Sequence, residues 1–126
     1  MIEETIIYKD ESYKIIGICM EIHRVLGKGL LEIVYNEALE FELKKNCIQF
    51  QREKEFLMKY KDIILSHKFS ADFIVYYKII LEIKCKKGII EEYTKQTLNY
   101  LSISNVKLGI IANFGGDSLK YKRIVL

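Results

Sequence analysis

The stretch that decides the fold reads SADFIVYYKIILEIKC and spans residues 70–85. It is rich in β-branched and aromatic residues, and this composition predicts a hairpin of two β-strands. Side chains alternate along a strand, so a three-residue loop about Tyr77 places Asp72 directly across from Glu82. A register shifted by one residue would put these two carboxylates on opposite faces of the sheet. Because the loop holds no Gly, Asn or Asp, the register is inferred from the charged residues and not from turn signals.

Helical and strand periodicities on either side of this hairpin predict an α/β or α+β domain with a mixed central sheet flanked by helices. The 126 residues are expected to form a single domain, residues 1–126, in which residues 1–11 are a loose N-terminal arm. The predicted helices span residues 12–26, 30–45 and 89–104, and the predicted strands span 51–60, 63–69, 70–76, 79–85, 106–114 and 121–126.

The first two predicted helices each carry an apolar stripe that predicts their buried face. Ser12 is the predicted N-cap of the first helix. The stripes consist of Ile15, Ile18, Ile22 and Leu26 in the first helix, and of Leu31, Val34, Ala38 and Phe41 in the second.

The composition excludes several classes of protein. Half of the residues are hydrophobic and 29% are charged, which is typical of a globular protein and not of a disordered one. No apolar run approaches the ~20 residues of a membrane span, and no secretory signal is visible, so we expect a cytoplasmic protein without a membrane partner. The three cysteines are widely spaced, which predicts reduced, buried thiols and argues against a zinc site. A net charge of +3 permits a nucleic-acid partner without requiring one.

Three charged residues interrupt the hydrophobic pattern of the hairpin. Glu82 and Lys84 share one strand face, and Asp72 lies across from Glu82 in the predicted register. Two carboxylates beside an ammonium form a hard-oxygen site suited to Mg²⁺ or Mn²⁺, and such a metal can activate water against a phosphodiester. The alternative is a solvated strand face with one cross-strand charge pair, which contributes less than ~1 kcal/mol.

Two further polar residues bear on this choice. Glu32 lies in the first turn of the second predicted helix, where the helix dipole stabilises an acid whether or not it binds a metal. Gln96 falls within an apolar and aromatic stripe of the third predicted helix, where its amide needs a partner. That partner is either backbone or a metal-bound water and phosphate. The other members of the stripe are Ile89, Tyr93, Tyr100 and Ile103.

The segment Gly29-x-x-Glu32-x-x-Tyr35 resembles the motif of the GxxExxY protein family, within the PD-(D/E)XK nuclease superfamily. The similarity runs over nearly the whole chain, from residue 13 to residue 124. This ordered set of segments is far more specific than a single Glu-x-Lys pair. The segments are EIHRVLGKG (21–29), ADF (71–73), LEIK (81–84), QTLNYL (96–101) and LGIIANF (108–114).

The resemblance implies a restriction-endonuclease-like α-β-β-β-α-β core with Asp72, Glu82 and Lys84 as catalytic residues. Glu32 matches an additional metal ligand, so the implied metal site consists of Glu32, Asp72 and Glu82. The pattern Gln96-x-x-x-Tyr100 resembles a motif of helicase-associated members and adds Gln96 to the catalytic set.

We therefore expect a Mg²⁺- or Mn²⁺-dependent nuclease acting on nucleic acid, with DNA ahead of RNA. Lys86 and Lys87 follow the predicted site and are expected to contact phosphates, and Tyr100 is expected to contact bases. A non-catalytic nucleic-acid-binding or assembly module stays open as the alternative, because a fold alone does not establish activity. A homodimer and a subunit of a larger complex are both open.

Overall fold

The computed structural model describes residues 6–88 and 91–126. The elements are α1 (Lys9–Leu26), α2 (Glu32–Lys45), β1 (Phe50–Tyr60), β2 (Ile63–Val75), β3 (Ile79–Lys84), α3 (Glu91–Ser104), β4 (Leu108–Asn113) and β5 (Lys120–Val125).

The five strands form one mixed sheet in the order β1-β2-β3-β4-β5. The β3–β4 pair is parallel and the other neighbours are antiparallel. Apolar side chains of α1 and α2 form one buried cluster with the sheet, and those of α3 form a second cluster with it. The helices therefore cover both faces, and the predicted fold class is confirmed. Among the described residues, no helix has both the length and the apolar character needed to cross a membrane.

The strand β2 is continuous, whereas the sequence predicts two strands that meet between Phe69 and Ser70. The prediction of two strands is wrong because nothing breaks the pairing with β1 at that point. Phe56 pairs with Phe69 and Glu55 pairs with Ser70, so the two pairs are consecutive in the ladder. One long strand gives the succession α-β-β-β-α-β from α2 to β4 that the resemblance implies.

The hairpin between β2 and β3 has the predicted three-residue loop, since β2 ends at Val75 and β3 begins at Ile79. Phe73 pairs with Leu81, and this register sets Asp72 opposite Glu82 at the next position. The loop forms without glycine because two tyrosines adopt the left-handed region, at φ 57° and 62° for residues 76 and 77.

The first helix begins earlier than predicted, at Lys9, so residues 9–11 are helical and do not belong to a loose arm. Residues 1–5 of the predicted arm lie outside the described residues. Ser12 is not the N-cap; it is buried within α1, and its hydroxyl lies 3.3 Å from Nε of Arg123 on β5. The predicted buried face is confirmed at Ile15, Ile18 and Ile22.

The second helix buries a different face from the predicted one. Tyr35, Leu39 and Leu43 are fully buried, whereas Leu31 is 74% and Phe41 is 63% exposed. The predicted stripe is displaced by about one position along the helix, since Val34 and Ala38 directly precede the buried Tyr35 and Leu39. Tyr35 can be buried since its hydroxyl has hydrogen-bond partners in the preceding loop.

Candidate active site

Asp72 lies at a gap in the pairing of the central strands. The described pairing of β2 with β3 ends at Phe73 and Leu81. At the next position the Ile83 backbone N–H donates a hydrogen bond of 2.8 Å to Oδ2 of Asp72, so a side chain takes the place of a backbone partner. On the other side of β2, the β1 residue opposite Asp72 is Glu53, which has φ 51° and makes no ladder pair. The gap leaves room for chemistry beside the Asp72 carboxylate.

Glu82 is a buried carboxyl group without adequate partners. Only 5% of its surface is exposed, and its Oε1 atom has no hydrogen-bond partner among the described residues. Burial, the negative charge of Asp72 and a hydrogen bond with Asp72 raise the pKa of Glu82 from 4.5 to about 9. Lys84 lowers the pKa by a smaller amount. Glu82 therefore keeps its proton at neutral pH unless a cation takes the proton's place.

Glu32 reaches this pair from α2, of which it is the first residue. Burial and the charge of Asp72 raise the pKa of Glu32, and Lys84 lowers it. The side chain of Glu32 is therefore close enough to both groups to interact with them. The structure thus places Asp72, Glu82 and Lys84 on neighbouring strands with Glu32 facing them from α2, although no three of the described acids are arranged to hold an ion.

The loop that precedes Glu32 is fixed by Tyr35. The Tyr35 hydroxyl donates to the Gly27 carbonyl at 2.7 Å and accepts from the Leu30 N–H at 3.3 Å. Gly29 turns the loop at φ 92°, a conformation that favours glycine. The Gly29, Glu32 and Tyr35 spacing therefore combines a turn, an acid and the tether that holds the loop.

Lys84 ends β3 on the same strand face as Glu82. Its Nζ atom lies 4.9 Å from the ring centroid of Tyr93 on α3. Its backbone carbonyl accepts a hydrogen bond of 2.8 Å from the Phe114 N–H. Both contacts hold the lysine at the carboxyl end of the strand, where Glu32 also lies.

The loop after β3 carries Lys86 and Lys87, which are both exposed. Asn113, the last residue of β4, donates from Nδ2 to the Gly88 carbonyl at 2.5 Å and accepts from the Gly115 N–H at 3.0 Å. A Cβ atom on Gly115 would lie 2.5 Å from the Lys86 carbonyl oxygen, so only glycine allows this approach. Sequence analysis missed Asn113 and Gly115 as positioning residues. The available signal is an asparagine that ends a fully apolar run.

Tyr100 approaches the carboxylates from α3, but Gln96 does not have the buried setting that its stripe predicts. The buried residues of α3 are Thr97 and Leu101, and Gln96 is exposed. Burial and the charges of Glu82 and Asp72 raise the pKa of Tyr100, while a hydrogen bond with Gln96 lowers it. Residue 89, the first member of the predicted stripe, lies outside the described residues.

The donor groups at this position fit a hard divalent cation. They are carboxylates, and one of them has an unpartnered buried oxygen. The Cys85 thiol nearby is a poor ligand because burial and the charges of Glu32 and Asp72 raise its pKa to about 11. His23 is a packing residue, with Nε2 bonded to the Gly116 carbonyl at 2.9 Å. Within the described part of the chain, no three His, Cys, Asp or Glu side chains lie in an arrangement that could hold an ion.

All three cysteines are free, but they do not share one environment. Cys19 is buried, Cys85 is half-buried and Cys47 is exposed. The expectation of buried thiols is therefore wrong for Cys47, which follows the end of α2.

Comparisons with known proteins agree with this fold. A family model described as the PD-(D/E)XK nuclease superfamily matches residues 9–124. The crystal structure of SSO0001 is similar with a TM-score of 0.60 and 24% sequence identity, over 94% of this chain and 59% of that one. An alkaline exonuclease (LHK-Exo) from Laribacter hongkongensis is similar with a TM-score of 0.53 and 14% identity, over 97% of this chain and 72% of that one. At these identities the two structures show a shared fold. No curated protein sequence matches the chain significantly.

Proposed function

We propose that this chain, which belongs to the PD-(D/E)XK nuclease superfamily, hydrolyses phosphodiester bonds of nucleic acid with the help of a divalent cation. The observation that carries the proposal is the buried Glu82 carboxyl group, whose Oε1 atom has no partner and whose pKa is raised to about 9 beside Asp72. A buried carboxyl group beside a second, half-buried one is costly for the fold unless it serves a site. Asp72 and Glu82 would hold Mg²⁺ or Mn²⁺, with Glu32 as a further ligand.

Each residue of the proposed site then has a defined role in the reaction. A bound Mg²⁺ or Mn²⁺ ion lowers the pKa of water and neutralises charge on a phosphate oxygen. The Ile83 N–H orients Asp72 through its hydrogen bond to Oδ2, and Glu82 releases its proton when a cation binds. Lys84 supplies a positive charge to the phosphate, held at the end of β3 by its backbone bond to Phe114.

Residues around the carboxylates would position the substrate. Lys86 and Lys87 are exposed on the loop after β3 and are proposed to contact phosphates on either side of the scissile bond. Gln96 is proposed to orient the Tyr100 hydroxyl, whose pKa it lowers. The ring of Tyr100 already stacks on Phe69 at 4.2 Å, so only its other face can meet a base.

The narrower family, the substrate and the location of the protein in the cell are further proposals about this chain. The Gly29, Glu32 and Tyr35 spacing supports placement in the GxxExxY family. We place DNA ahead of RNA as the substrate and expect the protein to act in the cytoplasm, alone, as a homodimer or within a larger complex.

A non-catalytic nucleic-acid-binding or assembly module is the second candidate function. One observation favours it: the described residues present no ready cluster of three metal ligands. On this hypothesis Glu82 stays protonated and serves the fold. The protein would then bind nucleic acid without cutting it.

The experiment that separates the two functions is incubation with labelled DNAs and RNAs, single- and double-stranded, in Mg²⁺, in Mn²⁺ and in EDTA. The nuclease predicts products that appear with either metal and disappear in EDTA. Binding to the same oligonucleotides without products in any metal would support the binding module instead.

A further inference from the structure

The strands β1 and β2 extend well beyond the rest of the sheet. They have 11 and 13 residues, whereas β3, β4 and β5 have 6 residues each. We call residues 57–68, which form the outer end of this hairpin, the arm. Its residues are exposed except for the half-buried Met58, and none of them belongs to either apolar cluster that the described residues form. The arm therefore projects from the body of the protein without packing against it.

The arm exposes an unusual amount of apolar surface. An isolated two-stranded hairpin is at best marginally stable in water, and concentrated exposed apolar side chains mark interaction surfaces. The exposed fractions are 55% for Leu57, 56% for Tyr60, 57% for Ile63, 60% for Ile64 and 37% for Leu65. An exposed apolar surface of this kind is typical of a site that binds a partner.

One face of the arm is continuous with the proposed active site. At its root, Phe69 stacks on Phe56 at 4.9 Å and on Tyr100 at 4.2 Å. The charges of Glu82 and Asp72, the proposed metal ligands, raise the pKa of Tyr100. Ile63 lies on the face of Phe69, because their partners on β1, Tyr60 and Phe56, are four residues apart. Residue 63 pairs with Tyr60 at the tip. From the Phe56–Phe69 pair to the Tyr60–Ile63 pair β1 advances four residues, so at ~3.3 Å each the row is ~13 Å long from root to tip.

The charge of the arm favours a polyanion over a second copy of this chain. The arm contains three lysines and one aspartate. Lys68 lies 3.7 Å from the carboxylate of Glu55, and Lys61 packs on the ring of Tyr60 at 5.4 Å, with Lys59 close by in the sequence. Two arms packed together would bring like charges into contact, whereas a phosphate backbone would neutralise them.

We propose that the arm binds the stretch of nucleic acid that flanks the scissile bond on one side. This inference rests on the proposed function, since the arm extends from the same site. A two-stranded β-ribbon fits the major groove of a B-form duplex, and apolar and aromatic side chains can also stack on the bases of a single strand. A row of ~13 Å covers about four nucleotides at ~3.4 Å each.

The test compares wild type with the double variant Ile63→Ser/Leu65→Ser. The matched control is Val25→Ser/Phe41→Ser, which alters two apolar residues that are 65% and 63% exposed on α1 and α2. Fluorescence anisotropy in EDTA measures the Kd for labelled oligonucleotides of 6 and 18 nucleotides, as single strands and as duplexes. We expect wild type and control to bind the longer probe at least tenfold more tightly than the shorter one. The arm variant should lose most of this length dependence, and the duplex and single-strand probes show which form the arm prefers.

Two results would overturn the proposal. One is an arm variant that retains the full length dependence of wild type. The other is a wild-type dimer in sedimentation velocity that the arm variant converts to a monomer, because the arm would then serve self-association. The failure of the proposed function is a different result: wild type would cut no probe in the metal panel. The arm proposal alone would be overturned if wild type cuts and the arm variant keeps the wild-type preference for the longer probe in both binding and cleavage.

Discussion

At the scale of single residues, the proposed chemistry depends on Glu82, which is protonated at neutral pH without a metal and would become charged when a cation binds. Strand alternation predicts that Glu82 and Lys84 share a face and that Asp72 lies opposite. It does not predict that Glu82 is buried with an unpartnered oxygen, since burial depends on α3 and the neighbouring strands. Nor does it predict the bond from the Ile83 N–H to Asp72, which follows from the gap in the ladder.

The raised pKa of Glu82 makes metal-free stability depend on pH. The folded-state pKa is about 9 and the ordinary value is 4.5, so between these values the folded state binds a proton that the unfolded state has lost. The contribution is present in full below the ordinary value and is lost as the pH rises through the folded-state value. The free energy of unfolding should therefore fall as the pH rises, by up to ~1.4 kcal/mol per pH unit.

Glu82→Gln tests this, because glutamine resembles the protonated acid at every pH. Urea unfolding in EDTA at a series of pH values from 5 to 9 should show the variant gaining stability relative to wild type as the pH rises. A difference between the two proteins that stays constant with pH would contradict the assignment.

Thiol reactivity tests the description of the site independently. Burial raises the pKa of Cys19 to about 12, and burial with the nearby charges raises that of Cys85 to about 11. Only Cys47 is exposed. With a disulfide reagent at pH 8, one thiol per native chain should react rapidly, and Cys47→Ser should abolish that fast phase. A fast phase that survives in Cys47→Ser would show that Cys85 is more accessible than the structure has it.

At the scale of elements, the sequence predicts helices and strands better than it predicts which faces they bury. The α1 stripe is correct because its buried positions are plainly apolar. The α2 face is missed because Tyr35 is buried through two hydrogen bonds that only the folded loop provides. The β4 strand is predicted well, since a continuous apolar run is typical of a strand buried on both faces.

The close approach of Gly115, which follows β4, to the loop after β3 provides a test of how that loop is positioned. A Cβ atom on Gly115 would lie 2.5 Å from the Lys86 carbonyl oxygen and 2.7 Å from the Cys85 carbonyl carbon. Gly115→Ala should therefore move the loop that carries Lys86, and lower the free energy of unfolding by ~1–3 kcal/mol. Any nuclease activity should fall with it.

Gly17→Ala is the matched control, because Gly17 lies within α1 and its Cβ would meet nothing within 4 Å. It should raise the free energy of unfolding by ~0.5–1 kcal/mol, since alanine favours a helix over glycine. Equal effects of the two substitutions in thermal and urea unfolding would contradict the close approach at Gly115.

At the scale of the whole molecule, the mixed sheet and the superfamily follow from sequence, but the projecting arm does not. Its apolar residues, at 57–58 and 63–65, are of the kind that a strand packed on a core also carries. Only the assembled structure shows that, in the described part of the chain, α3 packs against the sheet as far as Phe69 and Tyr100, at the root of the arm, and not beyond it. The site itself is assembled from distant parts of the chain, since α2 supplies Glu32 and the central hairpin supplies Asp72 and Glu82.

The most direct test of the central claim is the cleavage rate of Asp72→Asn in saturating Mn²⁺, on the oligonucleotide that wild type cuts best. Asparagine keeps the size of the side chain but removes the charge that would hold the cation, so the rate should fall by ~100-fold or more. Asp10→Asn, which removes an exposed acid from the first turn of α1, is the control and should cut like wild type. Thermal unfolding of all three proteins establishes that each is folded. Metal-dependent cleavage undiminished in Asp72→Asn would contradict the account.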